Sequence, residues 1–229
     1  MTLLLLALLA QDLPGAQPVP KDAGWLKRHE GFVAEAKQGG IELLLLGDSI
    51  TDAWRGAKQK ELWDRHFAPL KAANFGISGD RTQHLLWRLK NGEFEGLAPK
   101  AVMLMIGTNN IGQKNPEEPQ SAAAGVRAIV KEIRERSPST KILLLGVFPR
   151  GEKPDDPIRA KVKAINDDIR ALGDDGKAVR YLDIGAAFLQ PDGTISKEIM
   201  PDFLHLSPKG YALWAEAVAG PLKELMGAN

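Results

Sequence analysis

The sequence predicts an α/β fold, a three-layer α/β/α sandwich built around a five-stranded parallel sheet. Five short, mainly apolar runs each end in a turn residue or a polar cluster, as strands buried on both faces do. Six longer amphipathic segments alternate with these runs and predict helices, so the connections are expected to be right-handed crossovers. The predicted strands are residues 41–46, 72–75, 101–106, 141–147 and 179–182, and the predicted helices are residues 25–37, 58–66, 80–90, 119–136, 157–172 and 208–226.

The last predicted helix shows the pattern most clearly. Its apolar residues recur every three or four positions, which places them on one helical face toward a core. They are Tyr211, Trp214, Val218, Leu222 and Leu225.

Composition limits the class of protein. The chain has 229 residues, with 44% hydrophobic and 26% charged residues, which are ordinary proportions for a globular domain. The formal charge of +1 is too small for a protein that binds nucleic acid by neutralising many phosphates. The absence of cysteine from the sequence excludes disulfides, thiolate metal sites and a cysteine nucleophile. We expect one domain over residues 21–229, with no nucleic-acid partner.

The N-terminus bears on the compartment. Residues 3–10 form an uninterrupted apolar run, followed by a stretch rich in Pro, Gly and Gln. The run is too short to span a bilayer but fits the apolar region of a secretory signal, although no Lys or Arg precedes it. We therefore interpret residues 1–20 as a signal peptide of a secreted or periplasmic protein. The alternative is a cytoplasmic protein whose apolar tail packs on the domain or frays.

Polar residues follow the first three predicted strands, and ligands bind at that end of the strands in open parallel sheets. These segments are residues 47–51 (GDSIT), 74–80 (NFGISGD) and 107–110 (GTNN), and a fourth polar segment, residues 202–205 (DFLH), precedes the last helix. Together they contain a hydroxyl, an imidazole, a carboxylate and amide donors. This combination is typical of acyl transfer through a serine nucleophile.

The chemistry assigns a role to each residue type. A serine hydroxyl needs a base to take its proton, and His205 is the only histidine with a carboxylate three residues before it. We therefore predict Ser49, His205 and Asp202 as a catalytic triad, with Asp202 orienting the imidazole.

A tetrahedral intermediate also needs donors directed at its oxyanion. We predict three: the backbone N–H groups of Ser49 and Gly79, and the side-chain amide of Asn109. Asp80 is expected to cap the following helix, with Gln83 completing a capping box, so that the Gly79 N–H lies at the positive end of a helix dipole. Gly76 is a rival donor, but we favour a packing role for it.

Other polar and aromatic residues have simpler interpretations. We expect Asp48 to be a structural hydrogen-bonding residue and Asn110 to form a turn. The three remaining histidines have no partner at metal-ligand spacing and are expected to lie at or near the surface; they are His29, His66 and His84. Trp54, Trp63 and Trp87 are expected in the core or in a pocket wall. No metal and no organic cofactor is required.

The four polar segments resemble the sequence blocks of the SGNH hydrolases, also called GDSL esterases, which have a flavodoxin-like α/β/α fold. Within that family, residues 74–82 (NFGISGDRT), 86–93 (LWRLKNGE) and 148–154 (FPRGEKP) are similar to the platelet-activating-factor acetylhydrolases and their bacterial relatives. The resemblance covers residues 25–225. It implies the same triad and oxyanion donors as the chemistry does. Ser78 departs from the pattern, because those acetylhydrolases usually carry glycine there.

The resemblance implies an esterase of small acyl groups, acetyl first, that works as a homodimer. Connections of about 25 to 35 residues between strands leave no room for a lipase lid, so we expect an open site for small soluble esters. An acetylated carbohydrate and a phospholipid-like acetyl ester remain alternative substrates. Transfer of the acyl group to an alcohol, and a catalytically silent binding subunit, remain alternative functions.

Overall fold

A five-stranded parallel sheet forms the centre of the protein. The computed structural model describes residues 13–173 and 177–227, and the strand order there is β2-β1-β3-β4-β5. The order reverses between β1 and β3, because the chain goes from β1 to one edge and then returns to build the other. The five predicted strands and the predicted fold class are confirmed. The strands are β1 (Leu43–Gly47), β2 (Ala72–Asn74), β3 (Ala101–Met105), β4 (Lys141–Leu145) and β5 (Val179–Leu182).

Helices cover both faces of the sheet. Each of the six predicted helices is present, although single-turn 3₁₀ or π segments replace some of their ends. Two further short helices, α2 and α5, occupy segments that the sequence suggested were loops. The helices are α1 (Ala23–Gln38), α2 (Ser49–Asp52), α3 (Lys60–His66), α4 (Thr82–Arg88), α5 (Thr108–Gly112), α6 (Pro119–Arg136), α7 (Pro157–Ile169) and α8 (Pro208–Leu225).

Alternate side chains of each strand enter two separate apolar layers. In β1, Leu44 and Leu46 pack with residues of α1, α4, α6 and α7, whereas Leu43 and Leu45 pack with residues of α8. All four leucines are completely buried. Burial on both faces is the reason why β1 is an uninterrupted apolar run, and it fixes the position of the strand end where Ser49 follows.

The start of α4 differs from the expectation. Asp80 does not cap this helix; its carboxylate is buried and accepts from Trp25 Nε1 at 2.7 Å. The helix begins at Thr82 after Arg81, and the Arg81 backbone N–H donates to His84 Nδ1 at 3.0 Å. His84, not Gln83, therefore satisfies the capping position, because burial of Asp80 in a charge network removes it from the helix end.

The predicted N-terminal signal cannot be followed in the structure. Residues 1–12 lie outside the described ranges, so the signal-peptide interpretation stays a prediction. From residue 13 the chain packs on the domain: the buried Gly15 donates its N–H to Ser121 Oγ at 2.8 Å and accepts from Thr82 Oγ1 at 2.8 Å. Within the described ranges, no helix is both long and apolar enough to cross a bilayer.

Gly76 provides a test of close packing after β2. A Cβ at this position would lie 2.5 Å from the backbone nitrogen of Asp52. We expect Gly76→Ala to lower the free energy of unfolding by about 1 to 3 kcal/mol, because the backbone must move to admit the methyl group. Urea denaturation measures the change.

Gly31→Ala is the matched control for Gly76→Ala. Gly31 is exposed within α1 and a Cβ there would contact nothing within 4 Å. We expect this variant to gain up to about 1 kcal/mol, because alanine is the better helix former. Equal losses in the two variants would contradict the packing argument.

His84 predicts a pH dependence of stability. Burial, with smaller contributions from the Lys21 and Arg81 charges, lowers the pKa of His84 from 6.5 to about 4. Between these values the unfolded chain binds a proton at His84 that the folded chain does not, so stability should fall as pH falls from about 6.5 toward about 4. His84→Gln keeps an acceptor for the Arg81 N–H but does not titrate. We expect wild type to lose more stability than this variant between pH 7 and pH 4.5, measured by urea denaturation; parallel losses would contradict the assignment.

Candidate active site

Ser49 lies at the carboxyl end of β1, beside the position where the strand order reverses. It is the first residue of α2, and the preceding Asp48 caps that helix by accepting the Ile50 N–H at 3.0 Å. The turn from strand to helix leaves Ser49 partly exposed while Asp48 and Ile50 are buried. Parallel-sheet folds place ligand sites at this point.

The structure brings the three predicted triad residues together. Ser49 Oγ lies 3.0 Å from His205 Nε2, and His205 Nδ1 lies 2.7 Å from Asp202 Oδ2. Both contacts are within hydrogen-bond distance, and they engage opposite nitrogens of one imidazole. This is the arrangement in which a carboxylate orients a base and the base takes the proton of a hydroxyl.

The 202–205 segment positions its own histidine. Asp202 Oδ1 accepts the backbone N–H groups of Leu204 at 3.1 Å and His205 at 2.7 Å, while its second oxygen accepts from the ring. Burial alone would raise the pKa of Asp202, but the hydrogen bonds from His205 and Leu204 outweigh it and hold that pKa below its usual value. Asp202 is therefore a charged, fully engaged partner of the imidazole.

The last helix supports the nucleophile turn from the other side. Ser207 caps α8 by accepting the Gly210 N–H at 3.2 Å. One turn later the buried Tyr211 donates its hydroxyl to the Ile50 carbonyl at 2.7 Å. The helix that follows His205 is thus bonded directly to the residue that follows Ser49, which fixes the distance between the two segments.

The predicted oxyanion donors lie at the ends of three different strands. The backbone N–H groups of Ser49 and Gly79 donate to no acceptor in the described part of the chain, so both are available. Asn109 is buried in α5, and its Nδ2 donates to the Asp80 carbonyl at 3.0 Å, which leaves its second amide hydrogen for a ligand. Gly79 has φ +76°, a backbone conformation that favours glycine.

A buried charge network lies directly behind these donors. The Asp80 carboxylate accepts from Trp25 Nε1 at 2.7 Å and from Arg88 Nε at 3.0 Å. Arg88 is completely buried, donates to the Phe75 carbonyl at 2.9 Å and pairs with the buried Glu93. The residue whose carbonyl holds Asn109 is therefore itself held on both sides.

Sequence reasoning missed the residues that hold the 76–79 loop. Asp52 accepts from the Ser78 backbone N–H at 3.1 Å and from the Ser78 hydroxyl at 2.8 Å. Asn74 donates to the Thr51 carbonyl at 2.8 Å and accepts the Gly76 N–H at 2.9 Å. The Ser78 hydroxyl therefore contacts Asp52 within the loop. No spacing rule links residues 52, 74 and 78, since they meet only when β1 and β2 lie side by side.

Asn110 is more than a turn residue. Its Oδ1 accepts the Thr82 N–H at 3.1 Å, and its Nδ2 lies within bonding distance of Thr82 Oγ1, Gln83 Oε1 and Glu117 Oε2. The side chain is completely buried. Consecutive asparagines thus differ in environment: Asn109 lies at the site, while Asn110 joins α5 to α4 and to the segment before α6.

The structural role expected of Asp48 agrees with its surroundings. Its second carboxylate oxygen has no hydrogen-bond partner among the described residues, and the side chain is completely buried. Burial above all, together with the nearby Asp80 charge, raises the pKa of Asp48 to about 7. The carboxyl is remote from His205 in its bonding and acts on the helix cap.

The remaining histidines and tryptophans are distributed as follows. Trp54 is buried in the apolar layer against α8, whereas Trp63 and Trp87 are half-buried. His66 is also half-buried, but His29 is buried against Glu93, contrary to the expectation of a position near the surface. Among residues 13–173 and 177–227, no group of three or more His, Asp or Glu side chains is arranged to hold a metal ion.

With this geometry established, comparison with known proteins is informative. The sequence pattern of the GDSL-like lipase/acylhydrolase family matches residues 45–213, a range that contains all of the predicted site residues. The chain belongs to this family. The expected resemblance to SGNH/GDSL hydrolases is confirmed.

Relatives within the acylhydrolase family cover nearly the whole chain. Platelet-activating factor acetylhydrolase IB subunit alpha1 from Homo sapiens is 38% identical over 224 residues, covering 96% of this chain and 94% of its own. Subunit alpha2 from Rattus norvegicus is 41% identical over 211 residues, covering 92% and 87%.

Solved structures show the same fold at lower identity. A GDSL-like lipase from Bacteroides thetaiotaomicron is 15% identical, covers 86% of this chain and 97% of its own, and has a TM-score of 0.67. Axe2, an acetylxylan esterase from Geobacillus stearothermophilus, is 22% identical, covers 82% and 95%, and has a TM-score of 0.63. At these identities the likeness concerns the fold of the acylhydrolase family alone.

Proposed function

We propose that this acylhydrolase-family protein is a serine esterase that hydrolyses small acyl esters, acetyl esters first, through a covalent acyl-enzyme. The observation that carries the proposal is the chain of contacts from Ser49 Oγ to His205 Nε2 at 3.0 Å and from His205 Nδ1 to Asp202 Oδ2 at 2.7 Å. A hydroxyl placed against a carboxylate-oriented imidazole is an activated nucleophile.

The first half of the proposed reaction transfers the acyl group to the protein. Ser49 Oγ attacks the ester carbonyl carbon while His205 Nε2 takes the hydroxyl proton. The carbonyl oxygen becomes an oxyanion, and collapse of the tetrahedral intermediate breaks the bond to the alcohol oxygen. The alcohol leaves with the proton returned by His205.

The second half regenerates the serine. Water attacks the acyl carbon while His205 takes a proton from it, and the second collapse releases the carboxylic acid and returns the proton to Ser49 Oγ. In both halves Asp202 holds the imidazole in one tautomer and stabilises its protonated form. The depressed pKa of Asp202 suits this role, because the group stays ionised throughout.

The oxyanion is proposed to accept from the Ser49 and Gly79 N–H groups and from Asn109 Nδ2. Support comes from the two backbone N–H groups without protein acceptors and from the amide fixed by the Asp80 carbonyl. Donors held rigidly before the reaction need no reorganisation as charge develops.

Two observations support a small acyl group. The full-length relatives at 38% and 41% identity are named acetylhydrolase subunits. The site is also open, since the Asp202 and His205 side chains are 55% and 44% exposed. An open rim offers a long acyl chain little apolar surface to bury.

The relatives' names also support a proposal about assembly. Both are subunits, and we propose that this chain forms a homodimer. A sedimentation mass near twice 24.9 kDa agrees with it, and a mass near 24.9 kDa contradicts it.

Substitution of the nucleophile tests the proposed function. Ser49→Ala should stay folded, lose nearly all hydrolysis of p-nitrophenyl acetate and no longer react with a fluorophosphonate probe, because a methyl group cannot attack a carbonyl. Ser196→Ala, a serine outside the site, should keep both reactions. Retained hydrolysis in Ser49→Ala would contradict the covalent mechanism, and a wild-type protein that neither labels nor hydrolyses would indicate a silent binding subunit.

The two neighbouring asparagines separate a transition-state role from a structural one. Asn109→Ala should lower kcat by about 10² to 10³ with little change in KM, since a donor to the oxyanion acts only in the transition state. Its melting temperature should change little, because one hydrogen bond, to the Asp80 carbonyl, is lost.

Asn110→Ala should show the opposite pattern. Removal of its amide leaves buried polar partners unsatisfied, so we expect a clear fall in melting temperature and a smaller effect on kcat. Measurement of kcat, KM and melting temperature for both variants tests the assignment. A kcat loss of the same size in both would rule out Asn109 as a dedicated donor.

A further inference from the structure

A cleft of about 650 Å³ lies beside the triad, a volume suitable for a small molecule. On one side it is bounded by the 202–204 segment, which includes the triad carboxylate, and on the other by the end of α5, the helix that carries Asn109. The cleft therefore adjoins both halves of the reaction centre. Its polar and aromatic lining comprises Gln113, Arg150, Glu152, Asp156, Asp202 and Phe203.

Arg150 is held in this cleft with donors to spare. Its Nη1 donates to the Thr108 carbonyl at 3.2 Å and to Thr108 Oγ1 at 3.1 Å, which fixes the plane of the guanidinium. The guanidinium has five N–H donors, and in the described part of the chain Nε and Nη2 meet no protein acceptor. A half-buried, oriented cation with unused donors is suited to binding oxygen atoms of a ligand.

The opposite character is provided by carboxylates. Glu152 and Asp156 line the same cleft, and Asp156 uses one oxygen to cap α7 through the Ile158 N–H at 3.0 Å. Glu152 is exposed. An anionic ligand group would be attracted by Arg150 but repelled by two carboxylates, and a cationic group would meet the reverse conflict.

A hydroxyl resolves this conflict, because it can accept from Arg150 and donate to a carboxylate at once. Phe203 adds a half-buried aromatic ring to the same wall, and Gln113, which donates to the Gly79 carbonyl at 3.3 Å, adds an amide next to the oxyanion loop. Alternating donor-only and acceptor-only groups beside an aromatic ring fit a ring that carries several hydroxyls. They do not fit an alkyl chain.

We infer that this cleft is the binding site for the alcohol part of the ester, that this alcohol is a neutral, hydroxyl-rich sugar, and that Arg150 is the residue that determines this specificity. The inference rests on the proposed esterase function and selects between the two substrate classes that the sequence leaves open.

The test compares three acetyl esters of purified protein. A monoacetylated methyl glycoside contains the hydroxyl-rich ring, cyclohexyl acetate contains a ring of the same size without hydroxyls, and an acetylated alkyl glycerophosphocholine represents the lipid alternative. We expect kcat/KM for the glycoside ester to exceed that for each of the other two by at least about tenfold, the minimum for one hydrogen bond to a charged group. A preference for cyclohexyl acetate or for the lipid ester would overturn the inference.

Arg150→Met tests the assigned residue. It should reduce the preference for the glycoside ester over cyclohexyl acetate by about tenfold or more, mainly through a higher KM for the glycoside. Arg150→Lys keeps the charge but has fewer donors, and should show an intermediate preference. Lys153→Met removes a neighbouring positive charge outside the cleft and should leave the preference unchanged. An unchanged preference in Arg150→Met, or an equal change in Lys153→Met, would overturn the role of Arg150.

A binding measurement covers the case in which Arg150→Met does not fold. The free methyl glycoside should inhibit hydrolysis of p-nitrophenyl acetate by the wild-type protein competitively, and at lower concentration than cyclohexanol does. Stronger inhibition by cyclohexanol would overturn the inference while leaving the esterase function intact. Failure to hydrolyse any ester would instead overturn the proposed function, and the inference with it.

Discussion

The position of Asp80 is the constraint on which the site depends most. Its carboxylate is bonded to Trp25 and Arg88 in the interior, and its carbonyl holds the side chain of Asn109. Charges without access to water are costly unless they are paired and hydrogen-bonded, so the network tolerates few alternative arrangements. Arg88 extends it to Phe75 and Glu93, which joins α1, the end of β2 and α4 into one unit. The loop that carries Gly79 leaves this unit directly, and its geometry follows from the buried charges.

The two halves of the reaction centre are built differently. The oxyanion side rests on buried groups, whereas the Asp202 and His205 side chains are about half exposed. The 202–205 segment has instead a set of local hydrogen bonds, with Asp202 binding the backbone of the histidine it orients, and α8 bonds back to the nucleophile turn through Tyr211. A rigid donor set beside an accessible base suits a reaction in which ester, alcohol and water must enter and leave while the transition-state charge meets fixed dipoles.

This division also bears on substrate selection. Asp202 belongs to the triad and to the wall of the neighbouring cleft, and Arg150 joins that cleft to α5 through Thr108, the residue before Asn109. Residues that contact the alcohol are thus one bond away from residues that contact the oxyanion. A leaving group that fills the cleft would press on the same helix that supplies the amide donor, which links recognition to chemistry without a moving lid.

Local sequence determined much of this protein. Continuous apolar runs predicted the strands because burial on both faces removes polar residues from them, and the strand ends predicted where Ser49, Gly79 and Asn109 lie. The order Asp202 to His205 was readable because three residues span one turn. Tertiary structure decided the rest: that Asp80 is a buried charge and not a helix cap, that Asn110 is a buried junction, and that Asp52, Asn74 and Arg150 serve the site. These residues act through partners far away in the chain, which meet only when the strands are placed side by side, so no local pattern specifies their contacts.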